Sequence, residues 1–157
     1  MSTSEWYLFG HLLGVFLMLA AAGLTTGTAI AVARATSAKV VVTLLDLMRA
    51  SELYITSAGV VLVLVFGMLL IDKRDFSFGD GWISAAFTLL IVVLAVDHGF
   101  LMRRNRKSRA LAASLGDGPV NEELRTMLND RLTTVVGVLL DLSFVVFLWL
   151  MIAKPGA

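Results

Sequence analysis

The sequence contains no cysteine, two prolines and two histidines among its 157 residues. A chain without cysteine has no disulfide, no thiolate metal site, no cysteine nucleophile and no covalently attached haem. Side-chain metal chemistry is therefore left mainly to the two histidines, His11 and His98. No Ser/Pro-rich or low-complexity stretch interrupts the chain, which predicts a single domain over residues 1–157.

Charged residues are also scarce, at 16%, whereas 58% of the residues are hydrophobic. Four segments are long and apolar enough to cross about 30 Å of hydrocarbon. They predict an all-α, four-helix integral membrane bundle. The first apolar run follows Glu5 and has no Lys or Arg before it, so we expect a retained span rather than a signal peptide. The predicted spans are 6–33, 53–71, 82–101 and 133–153.

The 13 Lys and Arg residues are divided unevenly between the two sides of the predicted bundle. Four spans place both termini on one side of the membrane. All of the Lys and Arg residues except Lys73, Arg74 and Lys154 then lie on the other side. The positive-inside rule predicts a multi-pass membrane protein with both termini outside, away from the cytoplasm. The three tryptophans fall at the predicted outer ends, where amphipathic rings favour the headgroup layer. They are Trp6, Trp82 and Trp149.

The connections carry patterns of their own. Polar side chains recur at three- and four-residue spacing at Lys39, Thr43, Asp46 and Arg49, which predicts an interfacial amphipathic helix running into the second span. The outer connection, 72–81, has the Gly and Asp content of a simple loop. The second inner connection is expected to start as a loop and then to form a short helix, capped by Asn121, before the fourth span.

A basic run, "RRNRKSR", follows the third span and allows two interpretations. It is typical of the orientation signal of membrane proteins. Alternatively, its cations bind anionic lipid headgroups at about 1 kcal/mol each. The bilayer is the expected partner, and the cluster is too small to predict nucleic-acid binding. The five cations are Arg103, Arg104, Arg106, Lys107 and Arg109.

Polar residues between the membrane midplane and the inner interface form a candidate site. Asp141 lies near the middle of the fourth span, where an ionised Asp costs about 2.5 to 3.5 kcal/mol. His98, next to Asp97, lies at a similar depth in the membrane and is the expected partner of Asp141. Threonines of the first span such as Thr25 supply hydroxyl donors. The hypothesis is a proton relay or small-ligand site that would support proton-coupled transport. The alternative is that Asp141 fixes helix packing through hydrogen bonds.

His11 lies near the outer end of the first span, about 20 Å from His98 along the membrane normal. One haem held by both histidines is therefore excluded within a monomer. Met68 and Met151 share the depth of His11, and imidazole with thioethers suits copper(I) or haem iron. The alternative is that His11 is an interfacial packing residue, because Met commonly fills apolar cores.

The first span also holds two Gly-x-x-x-Gly pairs, Gly10 with Gly14 and Gly23 with Gly27. At about 100° per residue the pairs lie on nearly opposite faces. This helix can therefore approach two neighbours closely: either one helix of the same chain and one partner, or two within a monomeric bundle. No nucleophile or nucleotide motif is recognisable. We therefore favour a non-catalytic accessory or stabilising subunit of a larger membrane complex, or a homo-oligomer.

Several stretches, "HLLGVFLMLAAAG", "FLMRRNRKSR" and the ending "WLMIAKPGA", carry a family resemblance. The chain resembles a family of predicted bacterial integral membrane proteins of unknown function, distantly similar to the copper-resistance protein D superfamily. The resemblance implies four transmembrane helices and a first-span histidine, matched here by His11, that is a candidate ligand for haem b or copper. The sequence departs from relatives after that histidine, where Met18 and "AA" stand in place of Trp and a Gly pair.

Overall fold

The computed structural model describes residues 2–74 and 76–155, and its regular structure there is helical. Two π-helical turns join consecutive helices without a break: Glu52–Thr56 and Asp97–Leu101. The α-helices are α1 Thr3–Arg34, α2 Ala38–Ser51, α3 Ser57–Lys73, α4 Gly81–Val96, α5 Met102–Ser114, α6 Glu122–Leu128 and α7 Arg131–Ala153.

Four helical stretches are long and apolar enough to span a membrane, which confirms the predicted fold class. The helix before the second span, α2, continues into α3 through the first π-helical turn, as predicted. The basic run after the third span differs from the prediction, because it forms α5 rather than a loop. Arg, Lys, Ala and Leu are strong helix formers, so a polar run of this composition continues the helix out of the membrane.

The residues that immediately precede α6 and α7 cap the N-termini of these helices. The Asn121 Oδ1 atom accepts from the Leu124 amide at 2.9 Å, so Asn121 caps α6 as predicted. Asp130 Oδ2 accepts from the Thr133 amide at 2.8 Å and caps α7. Only Asn129 and Asp130 separate α6 from α7. The sequence predicts that this end of the bundle faces the cytoplasm, and we call it the inner end.

The spans pack as two pairs, α1 with α3 and α4 with α7, and the pairs approach each other between α1 and α7. Glycines allow the close approach of α1 and α3 in the first pair. A Cβ atom at Gly14 would lie 2.8 Å from the carbonyl oxygen of Gly59 on α3. At Gly10 it would meet the ring of Phe66 at 2.5 Å. The outer half of α1 and the facing backbone of α3 are thus in close contact.

A well-packed core lies at the inner end, where α2, α5 and α6 meet the end of α1. Arg109 on α5 donates to both carboxylate oxygens of Asp46 on α2, at 2.5 and 2.9 Å. Arg125 donates to the carbonyl oxygen of Ala33 at 3.0 Å. These contacts hold α2, α5, α6 and the end of α1 together, and we call this group of helices the inner cap. Its buried residues are Val32, Ala35, Ala38, Val41, Leu45, Met48, Ala112 and Leu124.

A smaller core closes the outer end between α4 and α7, around Trp82, Ile83 and Leu150. The Lys154 ammonium lies 4.9 Å from the Phe76 ring centroid and 5.8 Å from that of Trp82. The sequence predicted Trp82 for the headgroup layer, but it is only 6% exposed within the chain. Trp6 and Trp149 remain more than half exposed.

Candidate functional site

A crevice between α1 and α7 contains the intramembrane acid. The Thr26 hydroxyl donates to Asp141 Oδ2 at 2.7 Å, which joins the two helix pairs. The cavity has a volume of about 270 Å³ and is open to one side. A carboxyl group with a hydroxyl donor thus faces an otherwise apolar cleft. The lining residues are Leu19, Ala22, Gly23, Thr26, Asp141 and Phe144.

The second glycine pair lies on this part of α1. Gly23 and Gly27 are exposed, and a Cβ atom at either position would meet no atom within 4 Å. This contrasts with Gly10 and Gly14, which are buried against α3. Within the described residues, one small-residue face of α1 is occupied by a helix of the same chain and the other is open.

The other members of the predicted inner site lie apart from Asp141. His98 Nδ1 is 3.1 Å from the Leu94 carbonyl oxygen and 3.4 Å from Asp97 Oδ2. Its side chain is 53% exposed. Among the described residues no hydrogen bond or ion pair joins His98 to Asp141, and the threonine that contacts the acid is Thr26 rather than the neighbouring Thr25.

Sequence reasoning missed a second acid at the inner interface. The carboxyl groups of Glu52 and Asp97 lie close to each other. Each residue begins one of the two π-helical turns, a local geometry that is frequent at functional sites. Like charges at short range repel each other, so this pair is costly when both carboxyl groups are ionised. The signal available in the sequence was that Glu52 immediately precedes the second span, at the inner depth of Asp97.

His11 contacts the second span. Its Nδ1 atom is 3.1 Å from the Val63 carbonyl oxygen, and it lies over Gly67, where a Cβ atom would be 3.2 Å from Nδ1. If Nδ1–H donates to Val63, Nε2 carries the free lone pair. Met68 is 52% exposed and Met151 is 36% exposed. The described part of the chain holds no cluster of three or more His, Asp or Glu side chains that could bind a metal ion.

The basic residues of α5 fall into two groups. Some contact the chain's own side chains: Arg109 binds Asp46, Arg104 lies 3.3 Å from Asp130, and Arg106 contacts the Met102 sulfur. Arg103 and Lys107, together with Arg104 of the first group, line a second cavity of about 220 Å³ at the inner end of the third span. The lining residues of this cavity are Gly99, Phe100, Arg103, Arg104 and Lys107.

Four apolar helical stretches, with sparse polar residues at membrane depth, define the class of this chain as a helical integral membrane protein. Within that class it belongs to the family described as "Predicted integral membrane protein (DUF2269)", which it matches over residues 6–155. Neither the curated proteins nor the solved structures give a match.

Proposed function

We propose that this protein is a non-catalytic membrane subunit that associates with a partner inside the bilayer through the open face of α1. One observation carries the proposal: the Gly23 and Gly27 face is unoccupied beside the crevice that holds Asp141. The association would cover both the glycines and the carboxyl group.

The chemistry of the bilayer supports this proposal. Small residues let helix backbones approach closely, and van der Waals packing with interhelical hydrogen bonds then drives association in lipid. A carboxyl group at membrane depth is costly, so it is expected to face protein or a water-filled cavity rather than lipid. Asp141 has one hydroxyl donor, Thr26, and lines an open cleft. A helix seated on this face would remove that acid from lipid.

A second copy of the chain is the partner we favour. Two copies of α1 can present the same Gly23 and Gly27 face to each other, which satisfies the self-complementarity of a two-fold interface. The four spans bury few of their side chains within one chain, so surface for such a contact is plentiful. A different membrane protein on the same face would make the chain a subunit of a mixed complex.

The test compares three leucine substitutions by light scattering after extraction in mild detergent. Gly23→Leu and Gly27→Leu enlarge the open face without a clash inside the chain. Ala85→Leu is the matched control, because Ala85 is exposed and lies on α4, which makes no contact with α1 among the described residues. We expect the wild type and Ala85→Leu to be dimeric and the two α1 variants to be monomeric. A monomeric wild type with no co-purifying membrane protein would contradict the proposal.

Haem or copper binding through His11 is the second candidate function. The contact between Nδ1 and the Val63 carbonyl oxygen supports it, because metal-binding histidines commonly donate their other ring N–H to such an acceptor. His11 thus fits a single ligand position. Gly67 faces the imidazole, whereas the side chain of the next residue, Met68, is half exposed. The Met68 thioether is therefore not positioned beside the imidazole ring. An optical spectrum and metal analysis of the purified protein test this function. Haem or copper binding through His11 requires a Soret band or stoichiometric copper in the wild type, and its loss in His11→Gln.

A further inference from the structure

The inner end of the third span carries a second cavity whose charge is strongly positive. Arg103 and Lys107 follow Gly99 at four-residue spacing, so these three positions share one face of the helix. Phe100 and the space above Gly99 form the apolar end of the cavity, toward the span. The cationic side chains form its other end, about one and a half helical turns further along.

Ion pairs of the inner cap engage other cations at the inner end of the bundle. Arg109 is engaged by Asp46 and Lys39 lies 3.1 Å from Asp117. Within residues 2–74 and 76–155, no ion pair involves Arg103 or Lys107. These two charges are therefore available to an external anion.

Arg104 adds a second observation that points to a ligand. Its guanidinium lies 3.3 Å from Asp130 through one terminal nitrogen. Its Nε atom is buried without a hydrogen-bond partner among the described residues, and the side chain as a whole is 30% exposed. An anion in the cavity that Arg104 lines would therefore meet a guanidinium that is only partly engaged by the chain.

We propose that Gly99, Phe100, Arg103, Arg104 and Lys107 form a binding site for the phosphate group of an anionic phospholipid. The arginine and lysine side chains would bind the headgroup phosphate, and the acyl chain would lie along Phe100 and the open surface of Gly99. The site is specific to this face of α5 and does not include Arg106 or Arg109. It is independent of the association proposed for α1.

The position of the cavity favours a lipid over a soluble anion. It combines cations with an aromatic ring and an open glycine at the point where the apolar span gives way to the basic helix α5. Cationic pockets beside the membrane surface commonly bind anionic headgroups. A free phosphate would use the cations but gain nothing from the apolar end.

The test measures lipid binding to the full chain in detergent micelles by native mass spectrometry. Phosphatidylglycerol is compared with phosphatidylcholine of the same acyl chains, and inorganic phosphate is added as a competitor. We expect phosphatidylglycerol to bind in preference to phosphatidylcholine and to resist competition by phosphate. Equal binding of the two lipids would overturn the site, and displacement by phosphate at concentrations equal to the lipid would overturn the lipid assignment.

Matched variants distinguish the cavity from general surface charge. Arg103→Gln and Lys107→Gln should each weaken phosphatidylglycerol binding about fivefold, which corresponds to about 1 kcal/mol per cation. Arg106→Gln removes the same charge from the same helix outside the cavity and should change binding less than about twofold. An equal loss in all three variants would contradict a defined site.

A volume change provides a test that leaves charge unaltered. Gly99→Leu should fill the apolar end and lower lipid binding, since a Cβ atom there meets no atom within 4 Å and the chain itself is not disturbed. Gly137→Leu is the control for a leucine introduced at an open helical glycine. Unchanged binding in Gly99→Leu, with circular dichroism matching the wild type, would place the lipid elsewhere.

Discussion

Thr26 on α1 donates a hydrogen bond of 2.7 Å to Asp141 on α7, and this contact joins the two pairs of spans. Thr26→Val removes the donor while keeping the shape of the side chain. We expect it to lower the free energy of unfolding by about 1 kcal/mol, the scale of interhelical hydrogen bonds in membranes. Unfolding in mixed micelles, followed by circular dichroism, measures this.

Thr25→Val is the matched control for that variant. Thr25 is the adjacent threonine, and within the described chain it makes no hydrogen bond to Asp141. We expect its stability to stay within about 0.5 kcal/mol of the wild type. If both valine variants lost the same stability, the Thr26 contact would not be what joins the helix pairs.

The two glycine pairs of α1 should respond differently to alanine. Gly14→Ala places a methyl group 2.8 Å from the Gly59 carbonyl oxygen, so α1 and α3 must separate. We expect a loss of about 1 to 3 kcal/mol in stability, as for overpacked cores. Gly23→Ala meets no atom and should be neutral or stabilising by up to about 1 kcal/mol, because Ala favours helix. Equal losses in unfolding experiments would contradict the packing of α1 on α3.

The Glu52 and Asp97 pair predicts a difference between two substitutions. Glu52→Gln removes one of the two neighbouring acidic groups and supplies an amide N–H that can donate to the Asp97 carboxylate. It should leave stability within about 0.5 kcal/mol of the wild type. Glu52→Ala leaves Asp97 without that partner and should cost about 1 to 3 kcal/mol. Glu123→Ala, at an exposed position of α6, is the control, and an equal loss there would argue against the pair.

The charge distribution predicts the orientation of the chain. Because the chain has no cysteine, single cysteines at Ser2 and Asp117 can be labelled without background. We expect a membrane-impermeant maleimide added to intact cells to label Ser2→Cys, while Asp117→Cys is labelled only after permeabilisation. The reverse pattern would place the basic connections outside, against the positive-inside rule.

The span count and several helix starts could be predicted from sequence because hydrophobic length and capping are local properties. Asn121 shows this, since its side chain accepts from an amide three residues away. The helical α5 was missed because a dense run of charge resembles a loop, although its residues favour helix. The burial of Trp82 was missed because sequence does not show that Phe76 and Lys154 cover it.

The candidate site depends on helix rotation and pairing, which sequence depth does not supply. Depth alone grouped Asp141 with His98 and with three threonines of the first span, Thr25, Thr26 and Thr28, and the contact made is with Thr26. Thr25 lies about 100° away around α1. Glu52 and Asp97 belong to different spans, so their proximity depends on how those spans pair. Such relationships follow from packing between distant segments.

Cross-linking in native membranes tests the proposed association most directly. The absence of cysteine allows a single Gly27→Cys on the open face of α1, with Ala85→Cys at an exposed position of α4 as the control. Under mild oxidation we expect Gly27→Cys to form a covalent dimer of twice the chain mass and Ala85→Cys to remain monomeric. No cross-link at Gly27, or an equal yield at Ala85, would contradict association through this face.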